Sequence, residues 1–271
     1  MPRRPPPATS RRRPAARTAA AAPTRAVTRH GLARTLSKLG ICSRTEAARW
    51  ILDGRVAVDG RPVRDPEFPI EQAAHSANRI TVDGQPVGGA ARICVMLNKP
   101  RGLVTSARDE QGRETVYRCL EGAGLPWLAP VGRLDKASEG MLLFSNDPQW
   151  AAAITDPAQG PDKTYHVQID RLPTAGELQR LRDGIEIEGE RLCVASVQLL
   201  RQGERNAWLE IVLEEGRNRQ IRRLLAALDV GVLRLVRVAI GELPLGALPS
   251  GQWRVLSETE QRSLVPDRRR S

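Results

Sequence analysis

The chain has 271 residues, 41% hydrophobic and 27% charged, a globular balance with length for one medium domain or two smaller ones. No apolar run approaches the roughly 20 residues of a membrane span, and Cys42, Cys94, Cys119 and Cys193 form no CxxC pair and have no histidine in ligand spacing. A membrane protein and a zinc site are thereby excluded, and reduced thiols in the cytoplasm are expected.

The net charge of +11 is concentrated at one end, because residues 1–30 hold eight arginines and no acid, and the rest has 34 basic against 31 acidic residues, +3. Pro2, Pro5, Pro6, Pro7, Pro14 and Pro23 interrupt the same stretch, a composition that cannot pack a core. It lacks the apolar segment of a secretory signal. An organellar transit peptide would need an amphipathic helix, which the prolines oppose. The stretch reads as a disordered basic arm suited to phosphate-rich partners.

Order is expected from Gly31. Leu32, Thr35, Leu36 and Leu39 give a short helical face that Gly40 ends. Ser43, with Glu46 three residues on, predicts a capping box opening a second helix, whose inward face is Ala47, Ala48, Trp50 and Ile51 and which stops at Gly54. Asp59-Gly60 between Arg55–Val58 and Arg61–Val63 is a hairpin signal, echoed at Ile80–Val87 around Asp83-Gly84. This small module carries Arg34, Lys38, Arg44, Arg49, Arg55 and Arg61. The stretch LSKLGICSRTEAARWILDGRVAVDGRPV resembles the α-L RNA-binding module named after a small-subunit ribosomal protein. The resemblance covers about residues 31–77 and implies RNA binding by the basic side chains of the two helices, Arg34, Lys38, Arg44, Arg49 and Arg55 among them.

A second domain, 91–260, opens with the apolar strand Ile93–Leu97, then NKPRG and Leu103–Ser106, and a helix at Glu114–Leu120. Gly132–Gly140, GRLDKASEG, feeds the strand Met141–Ser145. Arg133 and Asp135, one residue apart on a turning backbone, can point the same way, and the bracketing glycines allow close backbone approach. Pro148 suits the first position of a helix running to Ile154. KTYHVQI at Lys163–Ile169 alternates like a strand, Thr174–Arg182 reads as a helix, and Ile185–Leu200 and Trp208–Glu214 supply further strands. EGRNRQIRRLLAALD starts as a loop and becomes a helix with Ile221, Leu224, Leu225 and Leu228 inward; Val232–Ile240 and Trp253–Leu256 close the sheet. Without regular βαβ alternation, the class is α+β with a mixed, mainly antiparallel sheet. Residues 261–271 read as a basic tail.

Four stretches, LNKPRG, GRLDKASEGMLL, KTYHV and EGRNRQIRR followed by VLRLVRVAIG, resemble in order and spacing the pseudouridine synthases of the RsuA/RluB/RluE/RluF group, which modify ribosomal RNA. Leu225 and Ala137-Ser138 depart from the usual pattern without touching a charged or aromatic group the family needs. The resemblance implies an isomerase without metal or cofactor that breaks the glycosidic bond of a uridine, turns the base and rejoins it through C5. It makes Asp135 the catalytic carboxylate, as nucleophile or as base at the sugar. Arg222 is the guanidinium paired with it, since such a pair favours the charged form of a carboxylate in a pocket. Tyr165 is the ring that stacks on the uracil. Arg133 fills the space left by a flipped base, Arg217 and Arg219 contact phosphates, and Lys163 and Asn218 shape the pocket. The expected partner is ribosomal RNA, the large subunit's in preference to the small, bound by a monomer. Two other readings compete. Glu139 and Asp147 near Asp135 could make a metal nuclease or paired-carboxylate glycosidase, which the intervening Arg133 opposes. A non-catalytic assembly factor would not be expected to keep both Asp135 and Tyr165.

Overall fold

A computed structural model describes residues 29–71, 79–88, 91–107, 109 and 111–265. The expected arm lies almost wholly outside these residues.

The chain enters through β1 (Arg29–Gly31), α1 (Leu32–Lys38) and α2 (Arg44–Leu52). Gly40 turns the chain out of α1 at φ 72°, where a side chain would be strained. The Ser43 hydroxyl accepts from Glu46 N at 3.1 Å, so the expected cap forms. Its reciprocal half gives way to an ion pair, for Glu46 lies 3.8 Å from Arg49 one turn on. Next come β2 (Val56–Val58), β3 (Arg61–Pro62), β4 (Pro69–Glu71), β5 (Ile80–Val82) and β6 (Gln85–Pro86). Asp59-Gly60 and Asp83-Gly84 all take positive φ, which makes two tight hairpins that join through β2 and β5 into the sheet β3-β2-β5-β6. Leu32, Leu36, Ala47, Ile51, Val56 and Ile80 form this domain's core, together with no residue beyond Val87.

The second domain runs β7 (Cys94–Lys99), β8 (Ala129–Val131), β9 (Glu139–Ser145), α3 (Pro148–Thr155), β10 (Lys163–Ile169), α4 (Ala175–Asp183), β11 (Ile185–Ile187), β12 (Glu190–Leu192), β13 (Ser196–Gln202), β14 (Ala207–Leu213), α5 (Gln220–Ala226), β15 (Val232–Ile240), β16 (Leu243–Pro244), β17 (Trp253–Val255) and α6 (Glu258–Ser263). Its sheet has the order β13-β14-β10-β15-β9-β7-β17, with β16 on β15 and β8 on β9. Every pairing is antiparallel except β9 with β15. In β7 and β9 both faces are covered, which explains their unbroken apolar sequence. Val95, Leu97, Leu142 and Phe144 join one core, with Leu181 of α4 and Leu224 of α5. Cys94, Met96, Met141 and Leu143 join another, with Ile154 of α3 and Leu264.

Three expectations move. Leu103–Ser106 is a loop with a single bridge, Val104 to Thr115, and the helix expected at Glu114–Leu120 shrinks to a 3-10 helix over Val116–Leu120. The arm's boundary at 30 falls inside β1, which pairs with β4. The tail's boundary at 261 falls inside α6, and buried Leu264 anchors the chain beyond it.

Candidate active site

The loop joining β8 to β9 carries Asp135, and its backbone is tethered along its length. The Thr105 hydroxyl donates to Leu134 O at 2.8 Å and accepts from Leu134 N at 3.3 Å. Ser138 N donates to Asp135 O (3.0 Å) and Gly102 N to Lys136 O (2.8 Å). Arg222 Nη2 donates to Ala137 O at 3.2 Å, and Lys99 Nζ to Ser138 O at 2.8 Å. Each carbonyl from Leu134 to Ser138 thus has a donor, and the loop has little freedom to move. Beyond it, Gly140 takes φ 100°, and a Cβ there would stand 2.3 Å from Arg237 O, so only glycine lets β9 meet β15 this closely.

Asp135 is half-buried in the wall of a cleft of about 450 Å³. Tyr165 and Arg237, cross-strand partners on β10 and β15, line the same cleft and are 8% and 6% exposed. Its other charged walls are Arg133, Lys163, Glu215, Arg217, Arg219 and Arg222, so six cations face two carboxylates. Burial lowers the pKa of Lys163, with Arg237 adding to the effect. Burial also lowers that of Arg222, with Arg219 acting in the same sense and Asp135 opposing. Lys99 is wholly buried behind the loop, and burial takes its pKa down to about 8 against the pull of Asp135 and Glu139. A fixed carboxylate, a buried phenol and an excess of cations suit an anionic polymer whose base enters the cleft.

Residues 93–227 match the family model of RNA pseudouridylate synthases, and residues 31–74 match that of the S4 domain. An RNA pseudouridine synthase of Rickettsia prowazekii is 34% identical over 227 residues, which cover 83% of this chain and 94% of that one. This chain belongs to the RNA pseudouridine synthases. Ribosomal large subunit pseudouridine synthase B of Bacillus subtilis is 30% identical, over 86% of this chain and 94% of its own. A crystal structure of a pseudouridylate synthase superposes with a TM-score of 0.60 at 27% identity, covering 87% of this chain and all of that one. The synthase is therefore an isomerase with an N-terminal S4 domain, and the assembly-factor alternative falls away.

Within the synthase, Asp135, Tyr165, Arg222, Arg133, Lys163, Arg217 and Arg219 all line one cleft, while exposed Asn218 lies outside its walls. The direct ion pair expected between Arg222 and Asp135 is replaced: Arg219 Nη1 approaches Asp135 at 3.9 Å, and Arg222 is turned to the Ala137 carbonyl. Arg219 can do this because it leads into α5 in the left-handed region, φ 49°. Arg217 is held by Glu190 through Nη1 (2.5 Å) and by Glu215 through Nε (2.7 Å), two carboxylates that offset its charge toward a phosphate. Glu139 and Asp147 are committed elsewhere, Glu139 to Arg234 at 2.7 Å and Asp147 to Arg92 at 3.1 Å and the first turn of α3. That removes the second carboxylate from the paired-acid reading. In the S4 domain Arg44 pairs with Glu67, Arg49 with Glu46 and Arg55 with Asp83, while exposed Arg34 stands beside Lys38, whose Nζ is 2.9 Å from His30 Nε2. Sequence reasoning passed over Lys99, Thr105 and Arg237. The only signals were the place of Lys99 in LNKPRG and of Arg237 in VLRLVRVAIG, and nothing local marked Thr105.

Proposed function

We propose that this synthase isomerises one uridine of large-subunit ribosomal RNA, with Asp135 as the catalytic carboxylate. The observation that carries the reading is the tethered loop, which presents the Asp135 side chain to a cationic cleft that also contains Tyr165. Asp135 adds to the sugar or takes a proton from it. The Tyr165 ring stacks on the uracil. Arg219 and Arg222 keep positive charge beside the carboxylate, Arg133 at the mouth fills the place of the flipped base, and Arg217 and Arg219 meet phosphates. Lys163 shapes the pocket, and Asn218, outside its walls, lies near enough in sequence to meet the RNA at the rim. The large subunit is favoured by the names of the Bacillus relative and of a Xanthomonas campestris ribosomal large subunit pseudouridine synthase E, 40% identical over 59% of this chain and 94% of its own. The S4 domain is the second RNA contact, led by Arg34 and Lys38, with Arg44, Arg49 and Arg55 available once RNA displaces their acids. The enzyme works as a monomer in the cytoplasm, where its four free thiols stay reduced.

Asp135→Asn keeps the shape and removes the charge. Pseudouridine formation is expected to vanish while RNA affinity changes little. Residual turnover above about 1% of wild type, a loss smaller than about 2.7 kcal/mol, would remove Asp135 from the chemistry. EDTA should leave the rate unchanged, whereas a metal requirement would revive the nuclease reading.

A further inference from the structure

The floor of the cleft holds a cation that the roles above do not use. Arg237 is 6% exposed, and its Nε donates to Met141 O at 2.7 Å. Its Nη2 is buried with no hydrogen-bond partner among the described residues. Its backbone is pressed against Gly140, where a Cβ would sit 2.3 Å from Arg237 O, and the bond to Met141 O ties the side chain. Of the two carboxylates in the cleft, Glu215 is taken by Arg217 at 2.7 Å and Asp135 lies by Arg219 at 3.9 Å. A buried cation lacking both an anion and a full set of acceptors is costly, and the missing negative charge must arrive with the substrate.

We propose that Arg237 is a substrate-contacting residue that holds the negative charge of the detached uracil. The inference rests on the reading of this cleft as the uridine site. When the N1–C1′ bond breaks, its electron pair stays on N1, whether Asp135 adds to C1′ or takes a sugar proton. The free base is then an anion with its charge spread onto O2 and O4. Arg237 donates to one of these oxygens while the base turns. When C5 joins C1′, the bond from Asp135 to C1′ breaks and its electron pair returns to the carboxylate, or Asp135 gives back the sugar proton it took. Either way the base's negative charge passes back to Asp135. The C5 proton is then lost as N1 gains one, so the product is released neutral. Phosphates are the wrong occupant for this group: the exposed arginines Arg217 and Arg219 serve the backbone, whereas Arg237 sits across the strand pair from Tyr165.

Wild type, Arg237→Met and Arg237→Lys would be compared on large-subunit ribosomal RNA transcribed with uridine or with 5-fluorouridine. The readouts are the Kd of each RNA and the single-turnover rate, at saturating RNA, at which the original N1-linked nucleoside is lost. This follows N1–C1′ cleavage on both RNAs, since 5-fluorouridine has no C5 proton to lose. Fluorine withdraws charge from the detached base, which then leans less on a protein donor. Arg237→Met should lose about 100-fold in rate on uridine RNA, the scale of removing one preorganised donor. Its Kd should change by less than about twofold and its loss on 5-fluorouridine RNA should be several-fold smaller, with Arg237→Lys between it and wild type. A structural role would slow both RNAs equally, and that result, or a loss carried by Kd, would overturn the proposal. If circular dichroism finds Arg237→Met unfolded, Arg237→Lys makes the same comparison: a smaller loss on 5-fluorouridine RNA supports the proposal, and an equal loss overturns it. Wild type without turnover on uridine RNA would instead overturn the reading of the cleft beneath it.

Discussion

Lys99 shows how a single residue can serve a site it does not line. It is fully buried, with Nζ bonded to Ser138 O at 2.8 Å and Pro100 O at 3.1 Å, and it stiffens the loop that carries Asp135 from behind. Burial lowers its folded pKa from 10.5 to about 8. Between those values the unfolded chain binds a proton that the folded chain does not, so stability rises with pH across that window and is unaffected by this group below it. Urea unfolding from pH 7 to 10 should therefore show wild type gaining on Lys99→Met above about pH 8. Turnover of Lys99→Met should fall by up to about 100-fold, the cost of a small misplacement of a reacting group, while RNA affinity holds.

Among the elements, the β8–β9 loop and α5 decide the site together. The helix contributes Arg222 to the Ala137 carbonyl, and the residue leading into it, Arg219, approaches Asp135. The β11–β12 hairpin holds the helix from the other side, with Glu190 bonded to Arg217 at 2.5 Å and to Arg223 at 2.8 Å. On the loop, the Thr105 hydroxyl serves both Leu134 N and Leu134 O. Thr105→Val keeps the shape and leaves those two backbone groups unpaired, at a cost of about 1–3 kcal/mol. Chemical denaturation should show that loss, and steady-state kinetics should show it in kcat with KM little changed. A variant with wild-type stability and turnover would mean that the loop is held without Thr105.

Across the whole molecule the two domains keep separate cores, one ending at Val87 and the others starting at Ile93. Because β1 begins at Arg29 and pairs with β4, a truncation that tests the arm must stop at residue 28 and removes seven of the eight arginines. If all seven neutralised phosphates, the slope of log K against log salt would flatten by up to about 5–6 units, and engagement of a few would change it proportionately. Turnover at saturating RNA should stay the same, because the described residues that line the cleft all lie from Val131 onward. Binding titrations of residues 29–271 and of the full chain at several salt concentrations measure this, and equal slopes would make the arm a passive tail.

Local chemistry alone determined much of this synthase. Ser43, Thr174 and Pro148 mark helix starts, Asp59-Gly60 and Asp83-Gly84 mark hairpins, and Lys163–Ile169 is a strand with the predicted limits. These signals are legible because each depends on neighbours within four residues. Most of the charged residues of the cleft were legible too, in the stretches GRLDKASEGMLL, KTYHV and EGRNRQIRR. Which arginine faces Asp135 was not, because the left-handed turn at Arg219 and the bond from Arg222 to Ala137, 85 residues apart, exist only after α5 packs beside the loop. The same holds for Lys99, Thr105 and Arg237. Their partners at Ser138, Leu134 and Met141 lie 39, 29 and 96 residues away. Only the tertiary fold makes those separations hydrogen-bonding distances, and it leaves Arg237 buried with a donor unspent.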